Sequence, residues 1–199
     1  MTLAWLKPTV FGASLIPLGW YLGGLWMDTL GANPIETITR GLGTWTLNFL
    51  LLTLLMSPLK RYAGWHWPLN LRRMLGLFAF FYGSLHLLSY LWLDQFFDWP
   101  AIAKDIIKRP FITAGMGAFA LLVPLAATSN LYAIRTLGSR RWQQLHRVVY
   151  LVSILGVLHY LWLVKLDFLQ PLIYALLLAA LFILRLIPRY AGNILPRSP

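Results

Sequence analysis

Residues 74–93 read MLGLFAFFYGSLHLLSYLWL, and none of these twenty positions is a lysine, arginine, aspartate or glutamate. At about 1.5 Å of helix per residue, twenty residues extend roughly 30 Å, the thickness of the hydrocarbon core of a bilayer. The stretch therefore predicts a membrane-spanning helix. It also contains His86, and an ionisable group at such a depth is costly enough that a function is expected of it.

Similar apolar stretches recur along the whole chain. Hydrophobic residues make up 59% of the 199 positions and charged residues only 12%, which excludes an ordinary soluble domain. The connections contain no Gly/Ser-rich linker, so we expect one domain over residues 1–199. The predicted fold is an all-α polytopic membrane bundle of six helices, at residues 9–30, 42–56, 74–93, 111–127, 148–164 and 168–187.

The charged residues are segregated between alternate connections. A net charge of +11 can indicate nucleic-acid binding, but segregation along the chain is explained better by a membrane orientation. The positive-inside rule predicts that both termini are cytoplasmic, which requires an even number of spans. Twelve of the seventeen basic residues lie on the predicted inner side: Lys7, Lys60, Arg61, Arg72, Arg73, Arg135, Arg140, Arg141, Arg147, Arg185, Arg189 and Arg197. All six acids lie in or beside the other connections: Asp28, Glu36, Asp94, Asp98, Asp105 and Asp167.

Several redox chemistries are excluded by what the sequence lacks. There is no cysteine, so this chain provides neither a thiolate haem ligand nor an iron–sulfur cluster. No Gly-x-Gly-x-x-Gly motif follows a strand, so no Rossmann site for a nicotinamide cofactor is expected. Electrons used by this chain would have to come from a separate protein, a quinol or a small bound flavin.

Two histidines have matching local sequences and matching predicted depths. Gly83 precedes His86 by three residues, as Gly156 precedes His159, which would let a flat macrocycle approach each helix. His86 lies thirteen residues beyond Arg73, and His159 lies thirteen residues beyond His146. Both spacings correspond to a depth of roughly 20 Å from the inner side. Paired imidazoles at one depth are typical of a bis-histidine haem b. The alternative is that each ring binds a carbonyl or lines a polar cavity.

A third histidine, His146, precedes His159 by thirteen residues at the inner end of the fifth span. This spacing suits a second haem, although the two rings would point about 140° apart on an ideal helix. The neighbouring arginines Arg72, Arg73 and Arg147 are candidates to bind haem propionates, or they only set the topology. Near the outer side, Arg40 and Arg109 are the corresponding candidates.

Six short motifs carry a resemblance to a known family. They are residues 30–34 (LGANP), 72–77 (RRMLGL), 85–90 (LHLLSY), 108–111 (KRPF), 142–147 (WQQLHR) and 159–165 (HYLWLVK). In these motifs the chain resembles MsrQ, the family of haem-binding membrane subunits of the bacterial protein-methionine-sulfoxide reductase system, which is related to ferric-reductase-type transmembrane domains. The resemblance covers nearly the whole chain.

The resemblance implies a function in the bacterial inner membrane. Electrons would pass from the quinone pool or a cytoplasmic flavin reductase, through haem, to a periplasmic molybdopterin-containing methionine-sulfoxide reductase of the MsrP type. The resemblance also implies FMN, for which no motif is visible. The wider family carries two histidines on each of two helices, but Arg72 stands where an inner ligand is expected. Thus either one haem is bound, or the inner iron uses an unusual partner such as His66.

Two other functions remain open from the sequence. The chain could be a free-standing ferric or flavin-linked transmembrane reductase, although it lacks a nucleotide-binding domain. It could also be a small proton-coupled transporter without haem, since buried histidines carry protons in such proteins. Electron transfer to a periplasmic partner further predicts that the outer acids Asp94, Asp98, Asp105 and Asp167 form a docking surface.

Overall fold

The computed structural model describes residues 4–164 and 167–187. These residues form helices without any strand, which confirms the all-α prediction for the part of the chain that is described. The helices are α1 (Leu6–Trp26), α2 (Pro34–Ala63), α3 (Leu69–Ser89), α4 (Trp99–Lys108), α5 (Pro110–Ala127), α6 (Leu131–His146), α7 (Val149–Leu163) and α8 (Leu169–Leu186). A π-helical turn, Tyr90–Asp94, extends α3.

Among the described residues, five helical segments are long and apolar enough to cross a membrane, so the chain is an integral membrane protein. They are α2, α3 with its π-helical turn, α5, the combined α6–α7 segment, and α8. Helix α1 corresponds to the first of the six predicted spans but is not among these five. Its sequence contains a lysine, two prolines and four glycines, which reduce its mean hydropathy.

Helix α2 is much longer than the second predicted span, which covered only residues 42–56. Asn33 begins it, because its side chain accepts a hydrogen bond from the Glu36 amide at 3.2 Å, and Pro34 fixes the first turn. Gly64 ends it in a left-handed conformation with φ of 71°. Polar residues at both ends concealed these two additional stretches from a hydropathy-based prediction.

Helices α4 and α6 were not predicted. Helix α4 is short and is capped by Asp98, whose carboxylate accepts a hydrogen bond from the Ala101 amide at 3.1 Å. Helix α6 is capped by Asn130 and is kinked at Gly138, where φ is 75°. Both helices lie in connections that the hydropathy pattern marks only as polar.

The bundle is built from two helix pairs, α2 packed along α3 and α5 packed along α7. The four helices α2, α3, α5 and α7 alternate in direction along the chain, so their ends lie at two ends of the bundle. We name the end that contains the six acids the acidic end; there α2 and α5 begin and α3 and α7 end. The opposite end, where α2 and α5 end and α3 and α7 begin, is named the basic end.

Helix α1 is attached to α3 through the buried side chain of Tyr82. The Tyr82 hydroxyl donates to the Ser14 carbonyl at 2.7 Å and accepts from the Leu18 amide at 3.3 Å. In an uninterrupted helix these two backbone groups would bond to each other. Pro17 lies between them, so the hydroxyl bridges an irregular turn inside α1.

Candidate functional site

A cavity of about 450 Å³ lies at the centre of the bundle, between α2, α3, α5 and α7. Its walls are largely apolar and include Leu50, Phe119, Leu122 and Val152. The volume is within the range of small-molecule and cofactor sites. The carboxylate and guanidinium side chains that line it lie at its acidic end, together with Asn33 and Tyr90: Glu36, Arg40, Asp94 and Arg109.

His86 on α3 and His159 on α7 face each other in this cavity. Their ring centroids are 5.9 Å apart, and the ring planes are inclined by 75°. Both histidines lie in the final turns of their helices, which run in the same direction. The two rings are therefore held at one depth by separate helix pairs.

Each imidazole is oriented by a backbone carbonyl of the neighbouring helix. Nδ1 of His86 lies 2.8 Å from the carbonyl oxygen of Thr39 on α2, and Nδ1 of His159 lies 2.6 Å from that of Phe111 on α5. A carbonyl oxygen can only accept, so Nδ1 must carry the proton in both rings. The lone pair of each Nε2 is then free to bind a metal, as is typical when the other ring nitrogen donates to a carbonyl.

A glycine four residues after each carbonyl makes room for the ring. A Cβ atom on Gly43 would lie 3.1 Å from Cε1 and 3.2 Å from Nδ1 of His86. A Cβ atom on Gly115 would lie 2.7 Å from Nδ1 of His159. The same device, a carbonyl at position i and a glycine at i+4, thus holds each histidine against its neighbouring helix.

The residues of this cavity fit a bis-histidine haem. His86 and His159, with ring centroids 5.9 Å apart and both Nδ1 atoms bonded to carbonyls, would hold the iron through their Nε2 atoms. The apolar walls suit a tetrapyrrole, while Arg40 and Arg109 supply guanidinium groups at the acidic end that suit its carboxylates.

Known proteins with similar sequences are also described as haem-binding. Residues 42–157 match the family described as "Ferric reductase like transmembrane component". The haem-binding subunit MsrQ of the protein-methionine-sulfoxide reductase of Azospira oryzae is 62% identical over 189 residues, covering 94% of this chain and 81% of that protein. The MsrQ proteins of Rhodospirillum rubrum and Herminiimonas arsenicoxydans are 54% and 51% identical and cover 96% and 90% of this chain, which in turn covers 91% and 84% of their lengths.

The chain belongs to the MsrQ family. This confirms the resemblance drawn from the sequence motifs. The region matched by the wider ferric-reductase description begins one residue before Gly43 and ends two residues before His159. It therefore includes all of α3 and α5, most of α2 and more than half of α7.

The structure separates the eight predicted site residues of this MsrQ-family chain into two groups. His86, His159, Gly83 and Gly156 line the cavity. A Cβ atom on Gly83 would meet its neighbours at ordinary distances of 3.5 Å or more, whereas one on Gly156 would lie 3.0 Å from Leu47. The remaining four do not line the cavity: His146, Arg72, Arg73 and Arg147.

His146 lies at the basic end and has partners of its own. Its Nε2 is 3.0 Å from the Thr128 hydroxyl, and its ring stacks on Trp142 with centroids 3.9 Å apart. The positive charge of Arg72 also acts on His146. The other spare histidine, His66, is exposed in the loop between α2 and α3. Within residues 4–164 and 167–187, no group of three His, Asp or Glu side chains could hold a metal ion.

Arg40 and Arg109 are each paired with an acid one helical turn earlier. Arg40 lies 2.5 Å from Glu36, and Nε of Arg109 lies 3.3 Å from Asp105. Both arginines are mostly exposed, so these ion pairs are weak and leave donors available. They bracket the acidic end of the cavity from α2 and from the start of α5.

Sequence reasoning missed Gly43, Gly115 and the two carbonyls that orient the rings. A signal for the glycines was present, since Gly41-Leu42-Gly43 and Gly115-Met116-Gly117 are the two Gly-x-Gly sequences within apolar spans. In the first sequence it is Gly43 that faces a histidine, and in the second sequence it is Gly115. The periodicity of either helix alone does not reveal which of the two faces the site.

Proposed function

We propose that this protein transfers electrons across the bacterial inner membrane through one haem b ligated by His86 and His159. The single observation that carries the proposal is the pair of imidazoles, 5.9 Å apart, whose Nε2 atoms are both free to bind iron. Relatives that are more than half identical to this chain are named haem-binding subunits. When bound, haem supplies reversible one-electron chemistry.

Residues of this chain would bind the haem and set its electronic properties. The carbonyls of Thr39 and Phe111 hold the protons on Nδ1 and increase the basicity of Nε2. The apolar walls around Phe119 and Leu122 exclude water from the porphyrin edge, which favours a low-spin electron carrier over reactions with small molecules. Arg40 and Arg109 would bind the two carboxylates at the acidic end.

The contacts of His146 at the basic end support one haem per chain. Nε2 of His146 already bonds Thr128, its ring stacks on Trp142, and the positive charge of Arg72 acts on it. A cation is a poor neighbour for a ferric ion. We therefore assign no inner haem, and no site for FMN is proposed from the residues of this chain.

The proposed orientation places the acidic end in the periplasm and both termini in the cytoplasm, with α1 as a sixth span. The segregation of basic and acidic residues supports it. Electrons would then enter from a quinol or a cytoplasmic flavin reductase and leave to an MsrP-type periplasmic subunit. Reduction of a methionine sulfoxide consumes two electrons and two protons and releases water, so that subunit must collect two electrons in succession.

The test is haem content per chain. The protein purified in detergent is expected to be red, with one haem by the pyridine-haem assay and a Soret band that shifts on reduction with dithionite. Replacing His86 or His159 by Ala should abolish the low-spin spectrum, whereas His66→Ala, in the exposed loop, is the matched control and should retain it. A colourless wild-type protein, or unchanged haem in both variants, would reject the proposal.

A further inference from the structure

The basic end of the bundle contains positive charge without any carboxylate near it. Both ion pairs among the described residues lie at the acidic end, and so do all six acids of the chain. The helix ends here carry Arg61, Arg72, Arg73, Arg147 and Arg185. Orientation in a membrane accounts for exposed basic residues, but it does not account for basic residues that are partly buried.

Arg185, in the last turn of α8, is the clearest case. It is partly buried, and its Nη1 donates to the Tyr150 hydroxyl at 2.5 Å while Nη2 donates to the Leu54 carbonyl. Its guanidinium lies 5.1 Å from the centre of the Tyr150 ring. Nε is buried and has no hydrogen-bond partner among the described residues. Every contact is thus with a neutral group, and the positive charge is not compensated.

A second guanidinium is that of Arg72 on α3. Arg72 lies one helical turn before Gly76, which faces Thr53, and Arg185 bonds the carbonyl of the next residue, Leu54, so both arginines lie along the same part of α2. Arg72 is also partly buried, whereas the next residue, Arg73, is exposed. Two partly buried positive charges repel each other, and desolvation adds to the cost. The described part of the chain supplies nothing negative that would offset it, so an anion from outside is needed.

We propose that Arg72 and Arg185 bind the phosphate of an anionic phospholipid at the basic end of the bundle. A guanidinium presents a planar fork of donors that matches phosphate oxygens. The location favours a lipid as the source of the phosphate, because basic sites between helix ends at the membrane surface are typical headgroup sites. Ile183 and Leu186, on α8 beside Arg185, are 56% and 81% exposed and would contact the acyl chains.

Arg61 positions the backbone of Arg185 and is not itself assigned to the phosphate. Its Nη1 donates to the Arg185 carbonyl at 3.0 Å and its Nη2 to the Ile187 carbonyl at 2.5 Å, while Tyr62 donates to the Leu184 carbonyl at 2.6 Å. These bonds hold the last turn of α8 against the end of α2. They fix the backbone that carries Arg185, so we assign Arg61 a positioning role.

The experiment measures lipid binding to the full-length protein in detergent by native mass spectrometry and by thermal stability. Phosphatidylglycerol should bind and raise the melting temperature, and an equal amount of phosphatidylcholine should not. Arg72→Gln should weaken phosphatidylglycerol binding about tenfold, the usual effect of losing one charge-assisted hydrogen bond. The exposed neighbour supplies the matched control, since Arg73→Gln should leave binding unchanged.

Arg185→Gln is expected to lose binding by a similar factor, but it also removes bonds to Tyr150 and Leu54. Arg185→Lys keeps the positive charge but removes the planar set of guanidinium donors, so it separates lipid binding from folding. A folded Arg185→Lys protein should bind phosphatidylglycerol more weakly than wild type. Equal loss in Arg72→Gln and Arg73→Gln would overturn the proposal, because it would show only a general effect of surface charge.

The source of the phosphate is decided by two further ligands. Inorganic phosphate and FMN, each at millimolar concentration, should give no stabilisation that depends on Arg72 and Arg185. If either one did so, the site would accept a free phosphate group and the lipid assignment would be overturned. All these measurements are independent of haem content, so they stand apart from the proposed electron transfer.

Discussion

The two ends of this bundle handle a histidine in opposite ways. At the acidic end, His86 and His159 each donate to a carbonyl of a neighbouring helix, rest on a glycine of that helix and leave Nε2 free. At the basic end, His146 uses its Nε2 to bond Thr128 and stacks on Trp142, with Arg72 as the nearby charge.

The difference teaches that an intramembrane histidine is not by itself a metal site. What distinguishes the acidic end is the arrangement around each ring, because a carbonyl fixes the tautomer and an absent side chain fixes the position. At the basic end the ring nitrogen is consumed and a cation occupies the neighbourhood. We therefore expect metal binding to respond to changes in the glycines and to be insensitive to His146.

The largest effect is expected from Gly115→Ala. The new methyl group would lie 2.7 Å from Nδ1 of His159, so the ring must move and lose its bond to Phe111. Overpacking of this kind costs about 1–3 kcal/mol, and we expect haem retention to fall at least tenfold. The pyridine-haem assay measures it. Gly117→Ala is the control, since its methyl group would meet only Leu155 at 3.8 Å.

A smaller effect is expected from Gly43→Ala, because its methyl group would lie 3.1 Å from the His86 ring and a slight shift relieves the contact. Haem should remain bound in most molecules, with the ring tilted. We expect a changed low-spin electron paramagnetic resonance signal and a shifted reduction potential. Gly76→Ala, whose methyl group would meet only Thr53 at 3.7 Å, should change neither. Identical spectra for the two variants would contradict the positioning role of Gly43.

The acids of the acidic end should affect partner docking more weakly. Neutralising Asp94, Asp98, Asp105 and Asp167 to Asn should slow electron delivery to the periplasmic reductase a few-fold at low salt, because opposite charges steer association. Haem content is measured for the variant as well, because Asp94 lines the cavity and Asp105 pairs with Arg109, and rates are compared per bound haem. The measurement is the rate of reoxidation of the reduced protein by its partner over a salt series. A rate that is equal to wild type at every ionic strength would rule out electrostatic docking by these residues.

The smallest effect on haem is expected from His146→Ala. Because Nε2 of His146 bonds Thr128 and the ring does not line the cavity, haem content and the Soret band should match wild type within error. The same substitution at His159 provides the contrast. A loss of half the haem in His146→Ala would show a second haem at the basic end and would refute the assignment of one haem per chain.

The hydropathy pattern predicted the long apolar helices well and predicted where helices begin and end poorly. It located the helices that carry His86 and His159, and the two Gly-x-x-His sequences drew attention to the two rings that face each other in the cavity. It missed α4 and α6 and shortened α2, because amphipathic and polar turns of helix carry no apolar signal. The sequence offered five arginines as candidates for propionates, and of these Arg40 and Arg109 line the cavity, whereas Arg72, Arg73 and Arg147 do not.

The sequence by itself determined the membrane bundle, the separation of its charges, the common depth of two histidines and membership of a family. These properties are local or compositional, since each depends on counting along one helix. Only the tertiary structure decided which carbonyls and glycines hold the rings. The hydrogen bonds concerned join residues 47 and 48 positions apart, so they depend on how α2 packs on α3 and α5 on α7. Packing between helices is set by complementary shape on both surfaces, which no single helix encodes.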